Sequence, residues 1–245
     1  MFNINELILI DDQNDKKIYL YKLNSNNLSL EKIQTIDIDY SYILPLSNQS
    51  KDLMITTKNK SIVLFKNDKS KYTQTLTINL GKKVVLLTEI EFNHSFAACC
   101  SIEDGCDVID FYSFEKNENF IKKSSLENLK VVNEMIMINN RVLAIRDISN
   151  ILKLVDTNTY NIFKKILIET SLYTLYINKF GRILISLLYE IDNISAITFM
   201  KEYSFEDDNL IRNKIIKKNI VPTCFTESEN NLIVGTQGGH IIIFN

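Results

Sequence analysis

Short apolar runs alternate along this chain with polar, turn-forming clusters, and the interruptions fall roughly every eight to twelve residues, a spacing typical of all-β domains. Some runs are almost continuously apolar, such as ILISLL from Ile183. Such runs fit strands covered on both faces. Others alternate, such as Tyr72-Thr73-Gln74-Thr75-Leu76, which fits a half-exposed edge strand. Residues 126–138 and 161–169 also carry a helix-compatible spacing. The shortness of the runs, their isoleucine content and the frequent turn residues favour strands throughout.

Six of these runs are variants of one motif: IYLYK, IVLFK, VIDFY, LKLVD, ITFM and IIIFN. Their anchor residues are Tyr21, Phe65, Phe111, Val155, Phe199 and Phe244, at intervals of 44, 46, 44, 44 and 45 residues. A strand-built repeat of about 40–50 residues is the period of a β-propeller blade. The expectation is an all-β propeller of six repeats in one domain spanning residues 1–245. Each repeat reads as four antiparallel strands, a to d. In the third repeat these are residues 84–92, 96–102, 108–114 and a poorer strand starting at 120–123, with Glu103-Asp104-Gly105 as the b–c turn. The first repeat opens at its strand b and the last stops at its strand c, so the first and last blades are expected to be incomplete. A short closing strand from residues 1–5, a strand supplied by a partner, or a longer parent protein would each account for that.

The segment running through FAACCSI, EDG and VIDFY resembles the strand a–b–c core of a WD40 repeat, and LIVGTQGGHIIIF resembles its b–c hairpin. The resemblance covers nearly the whole chain at the level of the repeat. Asp156 follows Val155 where the family's Trp-Asp dipeptide would end, but no Trp is present, and no Gly-His pair precedes a strand a. The family's Asp-His-Ser-Trp network therefore does not carry over. The resemblance implies a non-enzymatic scaffold for other protein subunits.

A formal charge of -2 gives no general attraction to nucleic acid or anionic membrane. No apolar run is long enough for a transmembrane helix, and the first residues lack a basic leader, so a cytoplasmic or nuclear setting is expected. Cys99, Cys100, Cys106 and Cys224 lack paired zinc spacing, and neighbours in a strand point to opposite faces, so all four read as structural. His94 and His240 fall at opposite ends of their repeats. The acidic DDQND stretch (Asp11, Asp12, Asp15) lacks the Gly and distant Glu of a calcium loop and reads as a solvated turn, as does Glu206-Asp207-Asp208. No cofactor, metal or small-molecule substrate is expected.

Lys122-Lys123, Lys164-Lys165 and Lys214 with Lys217-Lys218 fall in successive d strands. This stripe keeps RNA contact open as an alternative, although a charged edge also resists sheet-to-sheet aggregation. A propeller hydrolase needs carboxylates converging from several strand-a starts, where Glu134 is the main acid. An open propeller completed by a partner strand, of coat or nuclear-pore type, is the third alternative. Partner-binding candidates are Tyr40, Tyr42, Phe180 and Phe205, as aromatics in or near loops.

Overall fold

A computed structural model describes residues 6–10, 17–24, 29–46, 52–57, 60–68, 71–91, 95–102, 106–114, 120–149, 151–167, 171–177, 183–192, 195–206, 209–218, 222–228, 231–236 and 239–244. Every regular element among them is a strand. The chain divides into two compact units, Met1–Leu129 and Lys130–Asn245.

Three antiparallel meanders make up the first unit. The first sheet contains β1 (Glu6–Ile10), β2 (Lys17–Asn24) and β3 (Ser29–Asp37). The second contains β4 (Tyr40–Pro45), β5 (Leu53–Thr57), β6 (Ser61–Asp68) and β7 (Lys71–Asn79). The third contains β8 (Lys83–Glu91), β9 (Ser95–Ser101), β10 (Cys106–Phe114) and β11 (Phe120–Lys130). The second unit repeats the plan. Its fourth sheet has β12 (Val132–Met137), β13 (Val142–Asp147), β14 (Ile151–Asp156) and β15 (Asn161–Leu167). Its fifth has β16 (Ser171–Ile177), β17 (Ile183–Asp192), β18 (Ser195–Glu206) and β19 (Asn209–Lys218). Its sixth has β20 (Pro222–Ser228), β21 (Asn231–Thr236) and β22 (Ile241–Phe244).

The six anchors fall on the third strands, β2, β6, β10, β14, β18 and β22, as the repeat predicts for position c. The structure also gives these anchors a local role. Pairing between strands c and d slips by one residue at Leu20/Tyr21, Leu64/Phe65 and Leu154/Val155, and one residue past Phe199 at Met200/Lys201. A second slip recurs near the start of strand a, at Tyr40/Tyr42, Val84/Leu86, Val132/Glu134, Leu172/Thr174 and Pro222/Cys224. Each slip inserts one residue and raises the local twist, and the second, fourth and fifth sheets carry both slips.

The two helix-compatible segments are strands. Residues 161–167 alternate strictly between exposed and half-buried, which is a period of two. β11 extends for 11 residues, well beyond the short strand expected from 120–123, and passes through Asn128 at φ 58°.

Burial explains the continuous apolar runs. In the second sheet, Met54, Ile62 and Leu64 pack with Val84, Phe96, Ala98 and Cys100 of the third. The intervening Leu53, Ile55, Val63 and Phe65 pack with Ile18, Leu20 and Ile36 of the first. A strand held between two sheets needs apolar side chains at odd and even positions alike. Phe96 stacks on Tyr112 at 5.1 Å and meets Phe120 edge-on at 5.0 Å. Inner strands neighbour inner strands, β4 with β8, β12 with β16 and β16 with β20. At the outer edge the Gln34 amide bridges two sheets. It donates to the Tyr72 carbonyl at 2.8 Å and accepts the Tyr72 N–H at 2.7 Å. The amide thus occupies edge groups that would otherwise be open to a foreign strand.

Candidate interaction surface

Every meander has two ends. One holds the a–b and c–d turns, the other the b–c turn and the d–a connection to the next sheet. Of the eight large hydrophobic side chains exposed among the described residues, Val131, Ile148 and Leu167 lie at this second end of the fourth sheet, and Ile102 and Ile241 at the b–c turns of the third and sixth sheets.

The fourth sheet shows how such a residue is displayed. Asp147 ends β13 at 1% exposure, and its carboxylate accepts the Ser149 N–H at 3.0 Å, the Ser149 hydroxyl and the Lys153 ammonium. The Ile148 N–H donates to the Val131 carbonyl at 3.0 Å. The b–c turn is therefore fixed at both sides of Ile148, whose side chain stands 57% exposed. Leu167 closes β15 opposite Ile151 at the same end of the sheet and is 72% exposed. Burial would raise the Asp147 carboxyl, but the Lys153 and Ser149 hydrogen bonds outweigh it and hold the group below its ordinary range.

A second ionic centre lies in the third sheet. Asp110, 2% exposed, receives Lys122 at 2.7 Å, the Ser125 hydroxyl at 2.7 Å and the Tyr112 hydroxyl at 3.5 Å, with Lys82 at 3.6 Å. Burial pushes this carboxyl up, but the bonds from Lys122 and Ser125 and the charges of both lysines hold it below its usual value. Tyr112 is raised by burial and by the Asp110 charge.

Two further acids of the fourth sheet are also engaged. Glu134 receives Arg146 at 3.0 Å. Asp156 receives Arg141 at 2.7 Å and accepts the Asn158 N–H at 2.8 Å, so the residue at the expected dipeptide position fastens the c–d turn. Asn139 in the a–b turn of the fourth sheet accepts the Arg141 and Val142 N–H groups at 2.9 Å each. Cys99 and Cys100 are buried thiols on opposite faces. Cys100 lies in the core between the second and third sheets, and Cys99 donates to Asp107 at 3.7 Å. Burial first, then the Asp110 charge, pushes Cys100 up to about 11.

Tyr40 and Tyr42 lie on β4 and are half-buried rather than displayed on a loop. The slip at Ser41 sends them to opposite faces: Tyr40 packs on the core shared by the first and second sheets, Tyr42 on that shared by the second and third. Burial raises the Tyr42 hydroxyl. Phe180 lies outside the described residues; Phe205 is a β18 residue paired with Leu210. His94, the DDQND stretch, Asp207 and Asp208 also lie outside them, and His240 is exposed beside β22. Among the described residues no cluster of acids, histidines and cysteines could hold a metal ion, and no helix is long and apolar enough to cross a membrane. Of the predicted basic stripe, Lys122 is committed to Asp110, while Lys123 and Lys165 are exposed.

Neither a family model nor a curated protein matches the sequence. Solved structures do. The Myceliophteria thermophila Cps50 (Swd1) β-propeller domain is 11% identical, with a TM-score of 0.64 over 98% of this chain and 82% of that one. Saccharomyces cerevisiae Sqt1 is 11% identical, with a TM-score of 0.61 over 99% of this chain and 80% of that one. A Bacteroides fragilis protein assigned as a 6-phosphogluconolactonase is 11% identical, with a TM-score of 0.61 over 98% and 90%. At such identity the likeness is one of fold: the chain has a β-propeller fold.

Two predictions follow from the ionic centres. Because Asp110 titrates lower in the folded than in the unfolded chain, the native state binds fewer protons. Its contribution is complete above the unfolded value of about 4 and is lost as pH falls through the folded value. Denaturation of the Asp110→Asn variant and the parent at several pH values should show a stability gap that is widest at neutral pH and closes on the acid side; a constant gap contradicts this. Asp147→Asn should cost about 3–5 kcal/mol by leaving the buried Lys153 ammonium unpaired, and adding Lys153→Met should recover most of that loss. Chemical denaturation of both variants measures it, and additive losses would disprove the coupling.

Proposed function

We propose that this chain is a non-enzymatic interaction scaffold, a subunit of a larger cytoplasmic or nuclear assembly, which docks partner proteins at the end of its sheets that carries the b–c turns and d–a connections. The carrying observation is the group of exposed apolar side chains at that end of the fourth sheet, Val131, Ile148 and Leu167, with Ile148 on its Asp147-anchored turn. A turn held by a buried carboxylate presents its side chain with little ordering cost on binding. Exposed apolar side chains grouped in this way mark docking surfaces more often than catalytic ones.

The partners of Asp110, Glu134, Asp147 and Asp156 also support this reading, since a general acid or base must be available to a substrate. The likeness to the lactonase-assigned protein is the support for a hydrolase, and it is one of fold.

β22 favours a second reading. Ile241 and Ile243 are 74% and 59% exposed there, whereas the corresponding strands β6, β10 and β14 are buried along most of their length. A partner strand laid beside β22 would cover them, as in β-augmentation.

The full-length tagged protein, purified under native conditions and sized, should run in one stoichiometric assembly. Ile148→Asp with Leu167→Asp should release the partners while leaving the thermal midpoint unchanged, since both side chains are exposed. A lone monomer, or a variant that keeps its partners, contradicts the proposal. For the second reading, β22 amides should exchange quickly in the isolated chain and become protected in the assembly; protection in the isolated chain removes it.

A further inference from the structure

In the first unit, where the b–c turn of the second sheet meets its connection to the third, a hollow of about 500 Å3 opens, lined by Lys60, Gly81, Lys82, Lys83, Ser101 and Ile102. Three short segments build it. Lys60 sits in the β5–β6 turn at φ 64°, Gly81 to Lys83 form the connection from β7 into β8, and Ser101 and Ile102 close β9. The backbone is tied in place. The Lys60 carbonyl accepts the Leu80 N–H at 2.9 Å, and the Asn79 side chain accepts the Gly81 N–H at 2.9 Å. Gly81 has φ 67° and nothing within 4 Å of where a Cβ would stand, so the floor is open at that point.

The charge of this hollow is unbalanced. Lys60 and Lys83 are exposed and enter no ion pair among the described residues. Lys82 reaches Asp110 only at 3.6 Å, and that carboxylate already holds Lys122 and Ser125 at 2.7 Å each. One carboxylate thus faces two ammonium groups, and Lys82 is the looser partner. Should Lys82 turn into the hollow, Asp110 keeps its two short bonds, so the movement strands no buried charge. Glu103 and Asp104 follow in the sequence and lie outside the described residues.

We propose that this hollow binds the phosphate group of a phosphorylated serine or threonine on a partner chain. The inference rests on the interaction reading above and adds a second, chemically specific contact. A phosphate monoester carries close to two charges at neutral pH and three strong acceptor oxygens. Three lysines, acting as point charges, and the Ser101 hydroxyl supply matching donors. Among the described residues of the lining, Ile102 is the one apolar side chain and offers a contact to the residue beside the phosphate. None of those residues is aromatic, so none offers a surface on which a base would stack, which favours a phosphopeptide over single-stranded nucleic acid.

The test presents the purified full chain with a peptide library carrying a fixed phosphoserine or phosphothreonine in randomised flanks, and with the same library after phosphatase treatment. The phosphorylated library should be retained and the treated one not. For a selected peptide, Lys60→Ala with Lys83→Ala should weaken binding about tenfold or more, and added salt should weaken it further. Both side chains are exposed, so an unchanged thermal midpoint shows that the variant is folded. Equal retention of the two libraries, or unchanged affinity in the double variant, overturns the proposal. So does lysine-dependent binding that is tighter to inorganic phosphate, phosphoinositide vesicles or single-stranded RNA than to any phosphopeptide. Ile148→Asp separates the two readings. It should leave phosphopeptide affinity intact while releasing partners. Loss of phosphopeptide binding alone, with Ile148-dependent assembly retained, defeats only the phosphate site.

Discussion

Strands b and c of these meanders are apolar on both faces, and that constraint shapes everything else. A sheet of this kind cannot be stable alone, because covering one side leaves the other in water. The second sheet meets the demand by sending Met54, Ile62 and Leu64 to one neighbour and Leu53, Ile55, Val63 and Phe65 to the other. The recurring slips at the starts of strands a and at the c–d anchors supply the twist that lets one coiled sheet lie on the next. Edge strands are free of the constraint, which is why β15 alternates strictly and why Gln34 is available to seal the edge at Tyr72.

Two carboxylates enter this interior together with their partners. Asp110 and Asp147 each bring a lysine and a serine, and their lowered titration follows from those partners outweighing burial. Both sets also reach the b–c and d–a end. Asp147 holds the turn that displays Ile148, and Asp110 loosely tethers Lys82 beside the lysine-lined hollow. The buried charges that stabilise the sheets therefore also shape the surface available to partners.

The repeat was legible because the anchor motif sits on strand c in each copy, and in four copies the pairing slips beside it. Third-repeat bounds such as 96–102, one residue from β9, followed from apolar runs ended by turn chemistry. β11 was harder, since its polar residues lie on an outer strand where burial imposes little pattern. The surface was hardly legible at all. Tyr40 and Tyr42 drew notice as aromatics near a turn, yet a one-residue slip at Ser41 turns both into packing residues. Ile148 went unnoticed because one isoleucine in an isoleucine-rich chain does not announce exposure. The signal was its place between Asp147 and Ser149, a pairing that forms a side-chain-anchored turn. Lys60 is separated in sequence from Lys82-Lys83 and meets them only through adjacent sheets.

The most direct test of the account is a photo-crosslinking amino acid placed at position 148 and, in a separate protein, at position 159 in the c–d turn at the opposite end of the same sheet. Both positions are exposed. Irradiation of the native assembly should join position 148 to one partner protein and leave position 159 unlinked. Crosslinks from 159 with none from 148 would contradict the assignment of the docking surface.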